Sequence, residues 1–143
     1  MIEVFCDGGA RGNPGPAAWG FVIKKDGQII KEDCGYIGIA TNNIAEYTAL
    51  VEALSYFGEN FKGKSARVYL VSKLAVSQLN GEYKIKNLTI AKLVREVREI
   101  EKVLGDIVYN HIPRDQNKEA DRLVNIALNK NVYIRSQNTP PKI

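Results

Sequence analysis

The chain has 143 residues, a length that suits one domain able to bury roughly two-thirds of its unfolded surface. Hydrophobic residues make up 45% and charged residues 25% of it, which excludes an intrinsically disordered chain, and no apolar run approaches the roughly 20 residues of a membrane-spanning helix. The net charge of +4 permits a polyanionic partner without identifying one.

Taken in order, Ile2 to Cys6 reads as a strand, with Ile2, Val4 and Cys6 alternating with Glu3 and Phe5. It delivers Asp7 to a turn made of Gly8, Gly9, Gly12, Pro14 and Gly15. Ala18–Ile23 reads as a second strand, and Lys25-Asp26-Gly27 carries the Asp-Gly signature of a tight hairpin. Gln28–Gly38 returns as a third strand, completing an antiparallel meander. Thr41-Asn42-Asn43 is a helix-start signal, with Glu46 placed after Asn43 as in a capping box. The helix beyond it carries Ile44, Tyr47, Val51 and Leu54 on one stripe, widened by Leu50 and Phe57, and Gly58 and Gly63 end it.

Ala66–Val71 reads as a fourth strand and Ser72–Leu79 as a short helix stopped by Asn80-Gly81. Thr89–Leu104 is a longer amphipathic helix. Ile107–Ile112 is a fifth strand cut by Pro113, and Asn117–Asn129 a last helix. The expectation is a mixed α/β fold, a five-stranded sheet flanked by helices, in one domain over residues 1–130. Residues 131–143 lack periodicity and are expected to be a partly disordered tail.

Cys6 and Cys34 form no disulfide framework and no CxxC pair, so reduced thiols are expected, with no structural metal. The N-terminus lacks the basic and apolar regions of a signal peptide, which makes the cytoplasm the expected compartment, with no membrane partner.

Asp7, Glu46 and Asp121 come from distant parts of the chain. Two-metal phosphoryl chemistry needs such carboxylates to converge on two divalent ions about 3.5–4 Å apart. Each also has a plainer reading: Glu46 as a capping-box partner, Asp121 as a favourable charge at a helix N-terminus.

The blocks Phe5-Cys6-Asp7-Gly8-Gly9-Ala10-Arg11-Gly12-Asn13-Pro14-Gly15, Thr41-Asn42-Asn43-Ile44-Ala45-Glu46-Tyr47, Asn80-Gly81-Glu82-Tyr83-Lys84-Ile85-Lys86 and Pro113-Arg114-Asp115-Gln116-Asn117-Lys118-Glu119-Ala120-Asp121-Arg122-Leu123 stand in this order. Together they resemble type 1 ribonuclease H over residues 1–128, closest to the short bacterial and archaeal forms without a basic protrusion. The resemblance implies an endonuclease that cuts the RNA strand of RNA/DNA hybrids with Mg²⁺ or Mn²⁺. It would leave 5′-phosphate and 3′-hydroxyl ends; the chain itself is expected to be a monomer. Asp7, Glu46 and Asp121 would be metal ligands, with two ions in an intact site. Gly8, Gly9, Asn13, Asn42 and Asn43 would read RNA 2′-hydroxyls in the minor groove. Asn13 and Thr41 would hold a DNA-strand phosphate.

Read from residue type alone, the glycines serve turns and the asparagines cap a helix. Lys84 and Lys86, interleaved with Tyr83 and Ile85, suit a nucleic-acid backbone or a solvated loop. Many relatives carry a histidine before the last helix, thought to assist product release. Here the loop is Arg114-Asp115-Gln116, and Arg114 is the natural deputy. His111 reads as structural, Glu119 as a weak candidate, and Trp19, Cys6 and Cys34 as core.

The family's fourth acid, expected where the fourth strand ends, is absent from Leu70-Val71-Ser72-Lys73. An ungapped alignment puts Val71 in its place. A gapped one, in which Ser-Asp is missing before Ser72, matches the strand and helix patterns better. Loss of a carboxylate lets metal ions shift, and a displacement of about 1 Å can cost on the order of 10²-fold in rate. Two functions are open: a hybrid-specific nuclease weakened at one ligand, or a hybrid-binding module of the same fold that does not cut. Another nuclease or integrase of the same superfold is disfavoured by Asn13, Asn42 and Asn43.

Overall fold

The computed structural model describes the backbone of residues 1–138 and the side chains of residues 1–131. β1 (Ile2–Ala10), β2 (Gly15–Lys25) and β3 (Gln28–Ala40) form the antiparallel meander. α1 (Asn42–Asn60) then crosses to β4 (Ala66–Leu70), and α2 (Lys73–Leu79) and α3 (Leu88–Glu101) lead to β5 (Ile107–His111). A 3-10 turn at Arg114–Gln116 opens into α4 (Lys118–Asn138). The five strands lie in the order β3-β2-β1-β4-β5, with β4 parallel to both β1 and β5. β1 is therefore central, and the C-terminal ends of β1, β4 and β5 point the same way.

The hairpin expected at Asp26-Gly27 is present, both residues having positive φ (52° and 82°) as a type I′ turn requires. β1 runs further than the sequence pattern suggests. Gly8, Gly9 and Ala10 stay in the ladder with β2, paired to Trp19, Ala18 and Ala17, and the chain turns only at Arg11–Pro14. Asp7 is thus inside a strand rather than at its end.

Alternation along the strands serves both faces. Val4, Cys6, Phe21, Ile23, Val68 and Leu70 face α1, α2 and α3 and join Leu50, Leu54, Phe57 and Val97 in the main core. Each such side chain contributes about 1.5–3 kcal/mol by leaving water. Ala18 faces the other way, against Val124, Ala127 and Leu128 of α4. Gly20 admits α4 closely: an added Cβ would sit 2.9 Å from the Ala120 carbonyl oxygen. Trp19 and Cys34 are only half-buried, packed at the margins of these cores. His111 is exposed at the end of β5. Among the described residues, no helix is long and apolar enough to cross a membrane.

Several boundaries depart from expectation. Thr41 is the N-cap of α1, its hydroxyl accepting from the Ile44 amide at 3.2 Å. The expected Asn43–Glu46 capping box does not form, and Glu46 lies past the first turn, which holds no acid. Gly58 does not end α1; it sits inside the helix, where its missing side chain makes room for Ile100. α4 continues beyond Asn129 to Asn138, so the expected tail begins as helix, and residues 139–143 lie outside the described region.

Gly8 carries the closest contact between helix and sheet. An added Cβ there would overlap the carbonyl group of Ala45 and crowd the Glu46 amide. Gly8→Ala should therefore push α1 off β1 and cost about 2–4 kcal/mol of unfolding free energy in urea denaturation. Gly9→Ala, whose Cβ would meet only Asn42 Oδ1 at 4.0 Å, should change stability by less than about 0.5 kcal/mol.

Candidate active site

Close approach of α1 to β1 brings two carboxylates onto one amide. Gly8 N–H donates to Asp7 Oδ1 at 2.9 Å and more weakly to Glu46 Oε1 at 3.4 Å. Asp7 and Glu46 are 1% and 5% exposed, while Glu46 Oε2 is buried with no partner. Asp121, in the first turn of α4, joins them through Arg114. The guanidinium Nη1 donates to Asp7 Oδ2 at 3.4 Å and to Asp121 Oδ1 at 3.2 Å.

β4 stands beside β1 in parallel register, with Phe5 opposite Tyr69 and their rings stacked 4.9 Å apart. Val71 follows two residues after Tyr69, just past the end of β4, as Asp7 follows Phe5 on β1. Val71 lines the same cleft as Glu46, and Ser72 comes next as the N-cap of α2, its hydroxyl accepting from the Ala75 amide at 3.0 Å. The strand thus runs through Val71 directly into α2, and Val71 presents an apolar side chain to the cleft that holds Glu46.

Burial is the main reason both acids hold protons more tightly than usual. It raises Asp7, helped by the Asp121 charge and opposed by Arg114, and it raises Glu46 well above the carboxylate range, reinforced by Asp7. Arg114 touches Asp7 directly and opposes the rise there, and the larger rise falls on the more deeply buried Glu46. The Cys6 thiol is also pushed up, first by burial and then by these two charges.

The cleft, about 380 Å³, is lined by Gly8, Asn13, Asn42, Asn43, Glu46, Val71, Ser72, Leu74 and Arg114. Asn13 Oδ1 accepts from the Asn42 amide at 3.0 Å, and Asn42 Oδ1 accepts from the Ala10 amide at 2.8 Å. Since both partners are N–H donors, each carboxamide turns its oxygen inward. Its NH₂ group is left to donate to whatever enters. Thr41 serves its cap, and Gly8 serves helix packing as well as the cleft. Gly9, Lys84 and Lys86 are not among the lining residues; the lysines are exposed on the loop after α2. Glu119 turns away to pair with Lys24 at 2.8 Å.

Asn117 went unnoticed in the sequence. It is 2% exposed, and its Nδ2 donates to the Cys6 carbonyl at 2.8 Å while its own backbone carbonyl accepts from the Asp121 amide at 3.1 Å. It thus fixes the start of α4 to the strand residue preceding Asp7. Its place ahead of a helix was legible, but a partner 111 positions away was not.

Among the described residues, no three acidic, histidine or cysteine side chains converge as a ready-made metal centre. The expected triad is only partly assembled, since Asp7 and Glu46 meet whereas Asp121 reaches them through Arg114. An all-oxygen pair with an orphaned buried Glu46 Oε2 fits one hard divalent cation. Two carboxylates in contact do not by themselves fit two.

The RNase H family model matches residues 1–129. Ribonuclease HI of Halobacterium salinarum is 38% identical over 128 residues, covering 89% of this chain and 64% of that protein. A bifunctional protein of Mycobacterium tuberculosis is 36% identical over 129 residues, and the chain spans only 35% of its length. Among solved structures, LC11-RNase H1 in complex with RNA/DNA hybrid superposes with a TM-score of 0.87 at 41% identity, covering 92% of this chain and 99% of that one.

Two measurements check this geometry. A carboxylic acid whose folded pKa is raised binds more protons in the folded state, so stability falls as pH climbs from the ordinary carboxylate range towards the raised value. Glu46→Gln should remove much of that fall, melting higher than the native chain at pH 7 in EDTA, with the gap closing towards pH 4. A lower melting point at pH 7 contradicts the electrostatic account. Asn117→Ala should lose about 1–3 kcal/mol in urea denaturation, because the Cys6 carbonyl is left buried and unpaired.

Proposed function

Because the chain belongs to the ribonuclease H family, we propose that it acts on RNA/DNA hybrids, and that hydrolysis of the RNA strand is weakened by Val71. The observation that carries this is the pairing within one cleft of an intact set of polar donors with an incomplete set of carboxylates. Asn13, Asn42 and Asn43 offer amide N–H groups of the kind that read 2′-hydroxyls across a minor groove. Thr41 and Asn13 stand near enough through Asn42 to serve a DNA-strand phosphate. Lys84 and Lys86 extend a basic surface along the loop after α2.

On the catalytic side, Asp7 and Glu46, with Asp121, would hold Mg²⁺ or Mn²⁺. When bound, the ion activates water and stabilises the leaving 3′ oxygen. Arg114 favours the charged form of Asp7, and the unpartnered oxygen of Glu46 is free to act as a ligand. Arg114 can then turn from the acids to the phosphate. Val71 offers neither charge nor lone pair where a ligand is needed. The same observation favours a second reading, a module that binds hybrids without cutting them. The partner in both is the hybrid, met in the cytoplasm.

A labelled RNA/DNA hybrid, incubated with Mg²⁺ or Mn²⁺, tests this with the native chain and Val71→Asp. The variant should cut on the order of 10²-fold faster or more, while hybrid affinity measured in EDTA stays within a few-fold. Equal, robust cleavage by both chains contradicts the role given to Val71. Binding without cleavage by both selects the second reading, and absence of binding by both rejects the two together.

A further inference from the structure

We infer that Arg114 is the internal cation of this site, and that a divalent ion must displace its guanidinium to bind. The inference rests on the reading of Asp7, Glu46 and Asp121 as the ion's ligands. Arg114 Nη1 bridges Asp7 Oδ2 and Asp121 Oδ1 at 3.4 and 3.2 Å. It therefore sits on two of the oxygens that an ion would need. These contacts are long for charge-assisted hydrogen bonds, which settle nearer 2.7–2.9 Å, so they can be exchanged. The Arg114 side chain is 59% exposed, whereas Asp7 is 1% exposed. The guanidinium thus caps the buried acid from the solvent side and can swing out without moving the core.

Its backbone is held in place: Gln116 N–H donates to the Pro113 carbonyl and Asn117 N–H to the Arg114 carbonyl, each at 3.0 Å. Only the side chain needs to move. The unpartnered Glu46 Oε2 supplies an independent sign that Arg114 is a stand-in. That side chain is 5% exposed, and its outer oxygen is buried without a donor. Arg114 satisfies Asp7 and Asp121 and leaves Glu46 Oε2 without a donor.

Ion and guanidinium therefore contend for the same oxygens of Asp7 and Asp121. Arg114 is then a specificity-determining residue for ion uptake, setting the concentration at which the site fills.

Mn²⁺ binding to the full chain, followed by calorimetry and by the loss of the free-ion electron paramagnetic resonance signal, tests this without reference to cleavage. Arg114→Gln should bind Mn²⁺ about three- to tenfold more tightly than the native chain. It should also melt lower in EDTA and gain more than the native chain when Mn²⁺ is added. Arg114→Lys should fall between them, since an ammonium cannot span two carboxylates as a planar fork does. It decides the matter if the glutamine variant does not fold. Unchanged or weaker Mn²⁺ affinity in the folded variants overturns the inference. If Val71→Asp binds Mn²⁺ and cuts hybrid in that case, the proposed function survives. Failure of every variant, Val71→Asp included, to bind Mn²⁺ overturns both.

Discussion

The structure depends on the contact between the backbone of Gly8 and the first turns of α1. Gly8 has no Cβ, so the Ala45 carbonyl can lie against the central strand. That approach brings Glu46 to the same amide that holds Asp7. A larger residue would strike the Ala45 carbonyl and the Glu46 amide. The rest of the fold supports this point: Phe21, Ile23, Leu50, Leu54 and Phe57 seat α1 on the sheet. From the opposite side, Gly20 admits α4, which carries Asp121. Packing and chemistry therefore share one constraint. Two acids are forced together out of water, and the energy for holding them there comes from apolar burial around them.

Much of this was legible in the chain. Strand alternation, the Asp26-Gly27 turn and the helical stripe gave the elements, and the motif blocks picked out Asp7, Glu46, Asp121 and Arg114. What escaped was decided by tertiary contacts. Gly8 and Gly9 read as turn residues because glycine is the usual punctuator, yet they remain in the ladder, where the first is needed for closeness rather than for positive φ. Glu46 read as a capping partner because the spacing from Asn43 allowed it. Thr41 won the cap with its own hydroxyl, leaving Glu46 for the site. α4 outran the last clear apolar periodicity at Asn129. Asn117 depends on a partner most of a chain length away and leaves no local pattern.

The fourth strand meets the first in a fixed register, in which Phe5 and Tyr69 are directly paired and stacked. Ser72 caps α2, and Val71 before it lines the cleft with an apolar side chain. The Asn13–Asn42–Asn43 rim, anchored to Ala10 and to α1, does not depend on it.

Val71 also has a physical advantage. Asp7 and Glu46 already resist ionisation because burial strips their water, and the charge of Asp7 adds to the burden on Glu46. A further carboxylate in the same cleft would add like charge with only Arg114 to offset it, so without a bound cation the fold would carry a larger electrostatic load. Valine adds no such load, and the half-buried Val71 leaves a cluster whose charge is balanced largely by Arg114, a residue of the chain itself.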